Sequence, residues 1–129
     1  MMAQTKCKMQ ILIDNMERVI EEFKIEFGID SVITHKQYNY QNFFYHGIQI
    51  GSYWRDSVSI GKKIYFREDN GTIHVWPSTE HKPKKNYEAF KREVYNSLKK
   101  IMPLVDDALI QQKEWTVQQM EKNANDDFS

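Results

Sequence analysis

Asn70-Gly71 constrains this chain more than any other pair of neighbours. It separates two alternating runs, Ile64-Tyr65-Phe66-Arg67 and Thr72-Ile73-His74-Val75. Asn-Gly favours a two-residue type I′ turn, because both residues tolerate positive φ. The expected product is an antiparallel hairpin with Arg67 opposite His74, Phe66 opposite Val75 and Tyr65 opposite Trp76. Ile64, Phe66, Ile73 and Val75 then share a core face, and Tyr65, Arg67, His74 and Trp76 share the other.

Residues 42–76 are dense in Tyr, Phe, Trp, Ile and Val with period-two alternation, so the hairpin belongs to a larger sheet. Ile48, Ile50 and Trp54 alternate, as do Val58 and Ile60. A three-residue connection, Arg55 to Ser57, keeps all five on the core face, whereas a two-residue connection splits them. The reading is a three-stranded antiparallel meander, to which Val32–His35 adds a fourth, edge strand. Pro77 to Lys85 reads as a loop.

Helical periodicity flanks the sheet. Leu12, Met16, Val19, Phe23 and Phe27 fall on one face, and Gly28 stands where a left-handed C-cap is wanted. The start stays open. Either one helix begins before Ile11, or residues 5–13 form a strand and a helix starts at Asp14, with Glu17 completing a capping-box variant. After the sheet, Tyr87, Val94, Ile101, Ala108 and Trp115 recur every seven residues. That stripe suits a helix lying on its own sheet and equally a helix paired across subunits. Pro103 lies inside it and predicts a kink or break near Met102. The expected fold is α+β: an antiparallel three- to four-stranded meander packed by an N-terminal helix and a long, Pro-interrupted C-terminal helical segment. One domain over 1–129 is expected, with an acidic tail, 123–129, that frays.

Eighteen basic residues balance eighteen acidic ones, so bulk charge favours neither nucleic acid nor an anionic membrane. The distribution is uneven. Residues 1–30 carry four basic and six acidic side chains, 31–100 carry twelve and six, and 101–129 carry two and six. Two explanations stand: the acidic ends neutralise the basic sheet within the molecule, or the sheet holds an anion. No apolar run approaches the roughly 20 residues of a membrane span, and the polar start from Met1 to Lys8 shows no secretory signal. The single cysteine, Cys7, suits a reducing, cytoplasmic setting.

Catalytic patterns are missing. The four histidines and one cysteine have no metal-ligand spacing, and no phosphate loop, dinucleotide fingerprint or nucleophile elbow occurs, so neither enzyme activity, metal nor cofactor is expected. What draws attention is the non-core face of the meander: Tyr45, Tyr53, Lys63, Tyr65, Arg67, His74 and Trp76, punctuated by Gly47, Gly51 and Gly61. Rings stack on bases and cations meet phosphates, and interior glycines let a ligand approach. The expected function is a small non-enzymatic binding protein for a nucleotide or other phosphate-bearing ligand, with a homodimer interface as one setting for the site. The alternative is an inhibitor or adaptor that turns the same face to an acidic protein partner. A covering helix would remove both. The cationic run Lys82, Lys84, Lys85 is either a solvated loop or a flap over the anion.

Overall fold

The structure, a computed structural model, describes residues 7–54 and 56–127. Helix α1 (Lys8–Phe27) leads into strands β1 (Asp30–His35), β2 (Tyr40–Tyr45), β3 (Ile48–Trp54), β4 (Ser57–Gly61), β5 (Ile64–Arg67), β6 (Thr72–Val75) and β7 (Ser78–His81). Helix α2 (Tyr87–Asp127) follows. Five strands form an antiparallel sheet in the order β1-β2-β3-β4-β7, and β5-β6 pair separately. The α+β class with both helices therefore stands. Among the described residues no helix is long and apolar enough to cross a membrane.

The first helix is single. Cys7 caps it, its sulfur accepting the Gln10 N–H at 3.4 Å, and Gly28 closes it at φ 66° with its N–H on Lys24 O. Met16, Val19, Ile20 and Phe23 are its buried face. Phe23 meets Phe43 of β2 edge-on, ring centroids 5.1 Å apart.

The turn chemistry expected at Asn70-Gly71 occurs at another hairpin. His46 (φ 49°) and Gly47 (φ 82°) connect Tyr45 to its partner Ile48 in two residues of positive φ. At Asn70-Gly71 only Gly71 has positive φ, and Arg67 pairs with Thr72, leaving a four-residue loop closed by Gly71 N–H on Arg67 O at 2.7 Å. The register slips by two residues: Tyr65 faces His74 and Phe66 faces Ile73. An even slip preserves the faces, so the hairpin's division into apolar and polar sides survives.

A bulge corrects the second register. Phe43 pairs with Gly51 and Phe44 with Gln49, so Ile50 is an extra residue in β3. It reverses the alternation. Tyr53 rather than Trp54 then points inward, and the two-residue connection between Trp54 and Ser57 keeps Tyr53 beside Val58 in the core.

β4–β5 and β6–β7 are the arms of one long hairpin. Val58 to Gly61 pair with His81 to Ser78, and Ile64 to Arg67 with Val75 to Thr72, in a single register. Between them Lys62 N–H reaches Pro77 O at 2.7 Å and Trp76 N–H reaches Lys63 O at 3.0 Å, across the cis Trp76–Pro77 bond. The hairpin bends here. Gly61 permits it, since a Cβ there would collide with Val75 Cγ1. β7 occupies part of the segment expected as a loop. Its inward positions, Thr79 and His81, are polar, so no hydrophobic alternation announced it.

Helix α2 is continuous for 41 residues, and Pro103 does not interrupt it. The carbonyl that loses its partner belongs to Lys99, on the exposed side, while Ile101 and Val105 are fully buried on either side of the proline. Fraying was expected over 123–129; the helix runs through 123–127, and 128–129 lie outside the described residues. Val94, Ile101 and Ala108 are buried, so the seven-residue stripe is this molecule's own core face.

Between the helices Glu22 gathers three donors. Tyr87 Oη donates to it, Lys91 Nζ lies 2.9 Å away and Arg18 Nε 3.0 Å away, with the Arg18 guanidinium 3.9 Å over the Tyr87 ring. The Tyr87 hydrogen bond, then Lys91 and Arg18, hold the Glu22 carboxyl below its ordinary value against the opposing effect of burial. Burial pushes His81 below 6.5, with Glu93 opposing, and the His81 ring bonds Ser97 Oγ at 2.7 Å. Both depressed groups disfavour protonation in the folded state. The His81 contribution is complete above pH 6.5 and fades below it; that of Glu22 fades as pH falls through its folded value. The urea midpoint is therefore expected to begin falling as pH drops from 7 to 5, before carboxylates titrate, and to flatten over that range in His81→Gln. A wild-type midpoint that stays level from pH 7 to 5 would contradict the His81 assignment.

Candidate functional site

The hairpin β5–β6 turns its two sides to different neighbours. Ile64 and Val75 pack against the core, and Phe66 lines a groove with Trp115 of α2. The tip is fastened to the helix: Trp115 Nε1 donates to Glu68 O at 2.7 Å and Gln112 Nε2 to Gly71 O at 2.9 Å. Helix α2 thus covers the apolar side. The other side is open, with Tyr65 47% exposed and Trp76 68% exposed.

Five of the seven expected residues gather there. Tyr65 stands opposite His74 in the middle of the hairpin, and Lys63 and Trp76 face each other at the bend. Arg67, at the end of β5, is 56% exposed and already engaged: Nε and Nη2 grip the Asp69 carboxylate at 3.2 and 2.9 Å. Thr72 Oγ1 donates to Asn70 Oδ1 at 2.6 Å and lies 2.9 Å from His74 Nε2. The expected clamp of Arg67 beside His74 is therefore not formed, and Tyr65 does not face Trp76; the register slip separated both pairs.

Tyr45 and Tyr53 lie elsewhere. Tyr53 is 5% exposed in the core, turned inward by the Ile50 bulge. Tyr45 is half-buried towards α2, where its hydroxyl meets Asp106 Oδ2 at 3.3 Å, and burial followed by that contact raises its pKa. Neither belongs to the open surface. The three glycines have reasons inside the fold: Gly47 makes the β2–β3 turn, Gly61 makes the bend, and a Cβ on Gly51 would strike Ser59 O. The cationic run is tied down rather than poised over the hairpin. Lys84 Nζ pairs with Glu93 at 2.5 Å, and Lys84 O and Lys85 O accept Asn15 Nδ2 at 2.9 and 3.0 Å.

One aromatic group was not anticipated. His35, Tyr38, Tyr40 and Trp54 run ring to ring, centroids 4.8, 5.4 and 4.1 Å apart, beside the outer edge strand β1. The ring-rich segment His35 to Tyr40 was its signal. Trp54 joins it only because the bulge turned that side chain outward. Beside the hairpin, a cavity of about 490 Å³ lies between β3 and β6, and of the seven expected residues it takes in only His74. Among the described residues no three His, Cys, Asp or Glu side chains converge as metal ligands would. No family model, curated protein or solved structure matches this chain.

Proposed function

We propose that this chain is a non-enzymatic binding protein of the cytoplasm whose working surface is the open side of the β5–β6 hairpin. The supporting observation is the exposure of Trp76, Tyr65 and Arg67 on the side away from α2. Two rings and the Lys63 ammonium offer stacking and phosphate contacts, so the ligand class is a nucleotide or other phosphate-bearing molecule. One geometric fact favours the second reading, an acidic protein partner. Two exposed rings, Trp76 and Tyr65, share this side with the exposed Lys63, and Trp and Tyr are residue types that anchor protein interfaces.

Thermal melts against a nucleotide panel divide the readings. Ligand at one hundred times its Kd adds about 2.7 kcal/mol of stability, which raises the melting temperature visibly. The double variant Arg67→Ala/Trp76→Ala is expected to melt within a few degrees of wild type, because both side chains are exposed, and to lose the ligand-dependent rise. No rise with any nucleotide removes the first reading. A double variant that unfolds removes both, since it would make these side chains structural.

A further inference from the structure

Among the described residues the uneven charge is little relieved by ion pairs within the fold. Helix α1 takes up one cation of the basic region, Lys91, through Glu22. The acidic end of α2 neutralises almost nothing: Asp106 meets His46 at 3.5 Å, while Asp107, Glu114 and Glu121 make no ion pair among the described residues. Arg92, Lys99 and Lys100 make none either. All six are exposed on α2. The outward side of one continuous helix is therefore mainly cationic before Pro103 and mainly anionic after it, with Glu88 and Lys113 among the exceptions.

The same side carries apolar groups with nothing over them. Ile110 is 59% exposed and Val117 49% exposed, seven residues apart on one line of the helix. Arg92, Tyr95, Asn96 and Lys99 line a shallow, open depression together with Glu88 and Lys91. Ile110, Lys113, Glu114 and Val117 line a second with Gln118 and Glu121. Positions 92, 95, 96 and 99, and again 110, 113, 114 and 117, have the i, i+3, i+4, i+7 spacing of a hole that receives a knob from a facing helix.

We infer that α2 is the interface of a homodimer, in which two copies of this helix pack antiparallel about Pro103. Antiparallel pairing about that residue sets position 92 level with 114 of the second copy, 96 with 110, and 99 and 100 with 107 and 106. Ile110 of each copy then enters the hollow framed by Arg92, Tyr95, Asn96 and Lys99 of the other. Arg92 enters the hollow framed by Ile110, Lys113, Glu114 and Val117, its aliphatic stem on the apolar floor and its guanidinium at Glu114. Lys99 and Lys100 meet Asp106 and Asp107. Two-fold symmetry makes every contact twice, as an isologous interface requires. Parallel pairing would instead set lysine beside lysine and aspartate beside aspartate. A second copy is thus the occupant whose charges fit this side from Arg92 to Glu114.

Sedimentation velocity over a concentration series, at 50 and 500 mM NaCl, tests this on the full chain. A dimer is expected at low salt, with its Kd weakened at least tenfold at high salt, because exposed ion pairs are screened. Ile110→Asp is expected to be monomeric yet folded, with the circular dichroism spectrum of the wild type, because Ile110 is exposed within one copy. Arg92→Glu and Glu114→Arg should each weaken the dimer at least tenfold, and the double variant Arg92→Glu/Glu114→Arg should recover it. A chain that stays monomeric at every concentration overturns the proposal. So does a dimer that ignores Ile110→Asp, which would point to another surface such as the open edge of β1, or a charge swap that fails to recover association in a folded protein.

Discussion

Phe23→Ala is expected to lower stability by about 3–5 kcal/mol, the range found when a buried aromatic is cut to a methyl group. Phe23 has no exposed surface, and its ring meets the edge of Phe43, so α1 loses both its largest buried side chain and its aromatic contact with β2. A chain of 129 residues gains about 0.27 kcal/mol per degree in unfolding entropy, so the melting temperature should drop by on the order of 15 °C. Phe23→Leu, which keeps much of the volume, should cost roughly 1.5 kcal/mol or less. Urea unfolding followed by circular dichroism measures both. A loss under about 1.5 kcal/mol for Phe23→Ala would mean that α1 is not seated on the sheet as described.

Gly71→Ala is the second large effect, and its size depends on a residue 44 positions away. Gly71 has φ +70°, which costs an alanine about 1–2 kcal/mol. An added Cβ would also lie 2.5 Å from two atoms of the Trp115 ring, and overpacking of this kind adds about 1–3 kcal/mol. The sum is about 2–5 kcal/mol. Trp115→Ala carries its own cost, through the hydrogen bond to Glu68 O and the covered ring. In that background, however, the collision is gone. The penalty for Gly71→Ala should then shrink to the φ contribution, about 1–2 kcal/mol. Additive costs in this double-mutant cycle would show that the hairpin tip and α2 do not touch as described.

The helices were legible because each has a long apolar stripe and, for α1, a glycine stop at residue 28. The faces of β5 and β6 were legible for a subtler reason. The loop closed two residues later than an Asn-Gly turn would, and an even slip leaves inside and outside where they were. Elsewhere local rules met a tertiary competitor. The Ile50 bulge inverted Tyr53 and Trp54, and the sequence around it carries no mark of an extra residue. Strand β7 has no hydrophobic residue to reveal it, because its place is secured by β4 beside it. Pro103 suggested an interruption, yet burial of Ile101 and Val105 outweighs one absent N–H on a solvent-facing turn. At the candidate site, composition identified five residues that the fold does bring to one open hairpin side. It placed Tyr45 and Tyr53 there by alternation alone, and alternation is what a bulge resets.

The joint between hairpin tip and helix makes two segments share one fate. Beyond Leu109, which packs on the core, α2 is held through Gln112 and Trp115, and the tip is held by the same two side chains. Whatever loosens the turns of α2 around Gln112 and Trp115 also releases Glu68 and Gly71, and whatever steadies the strands steadies those turns. Orientation of the open hairpin surface is therefore governed from the far end of the chain, like a mast whose stay is anchored on another deck.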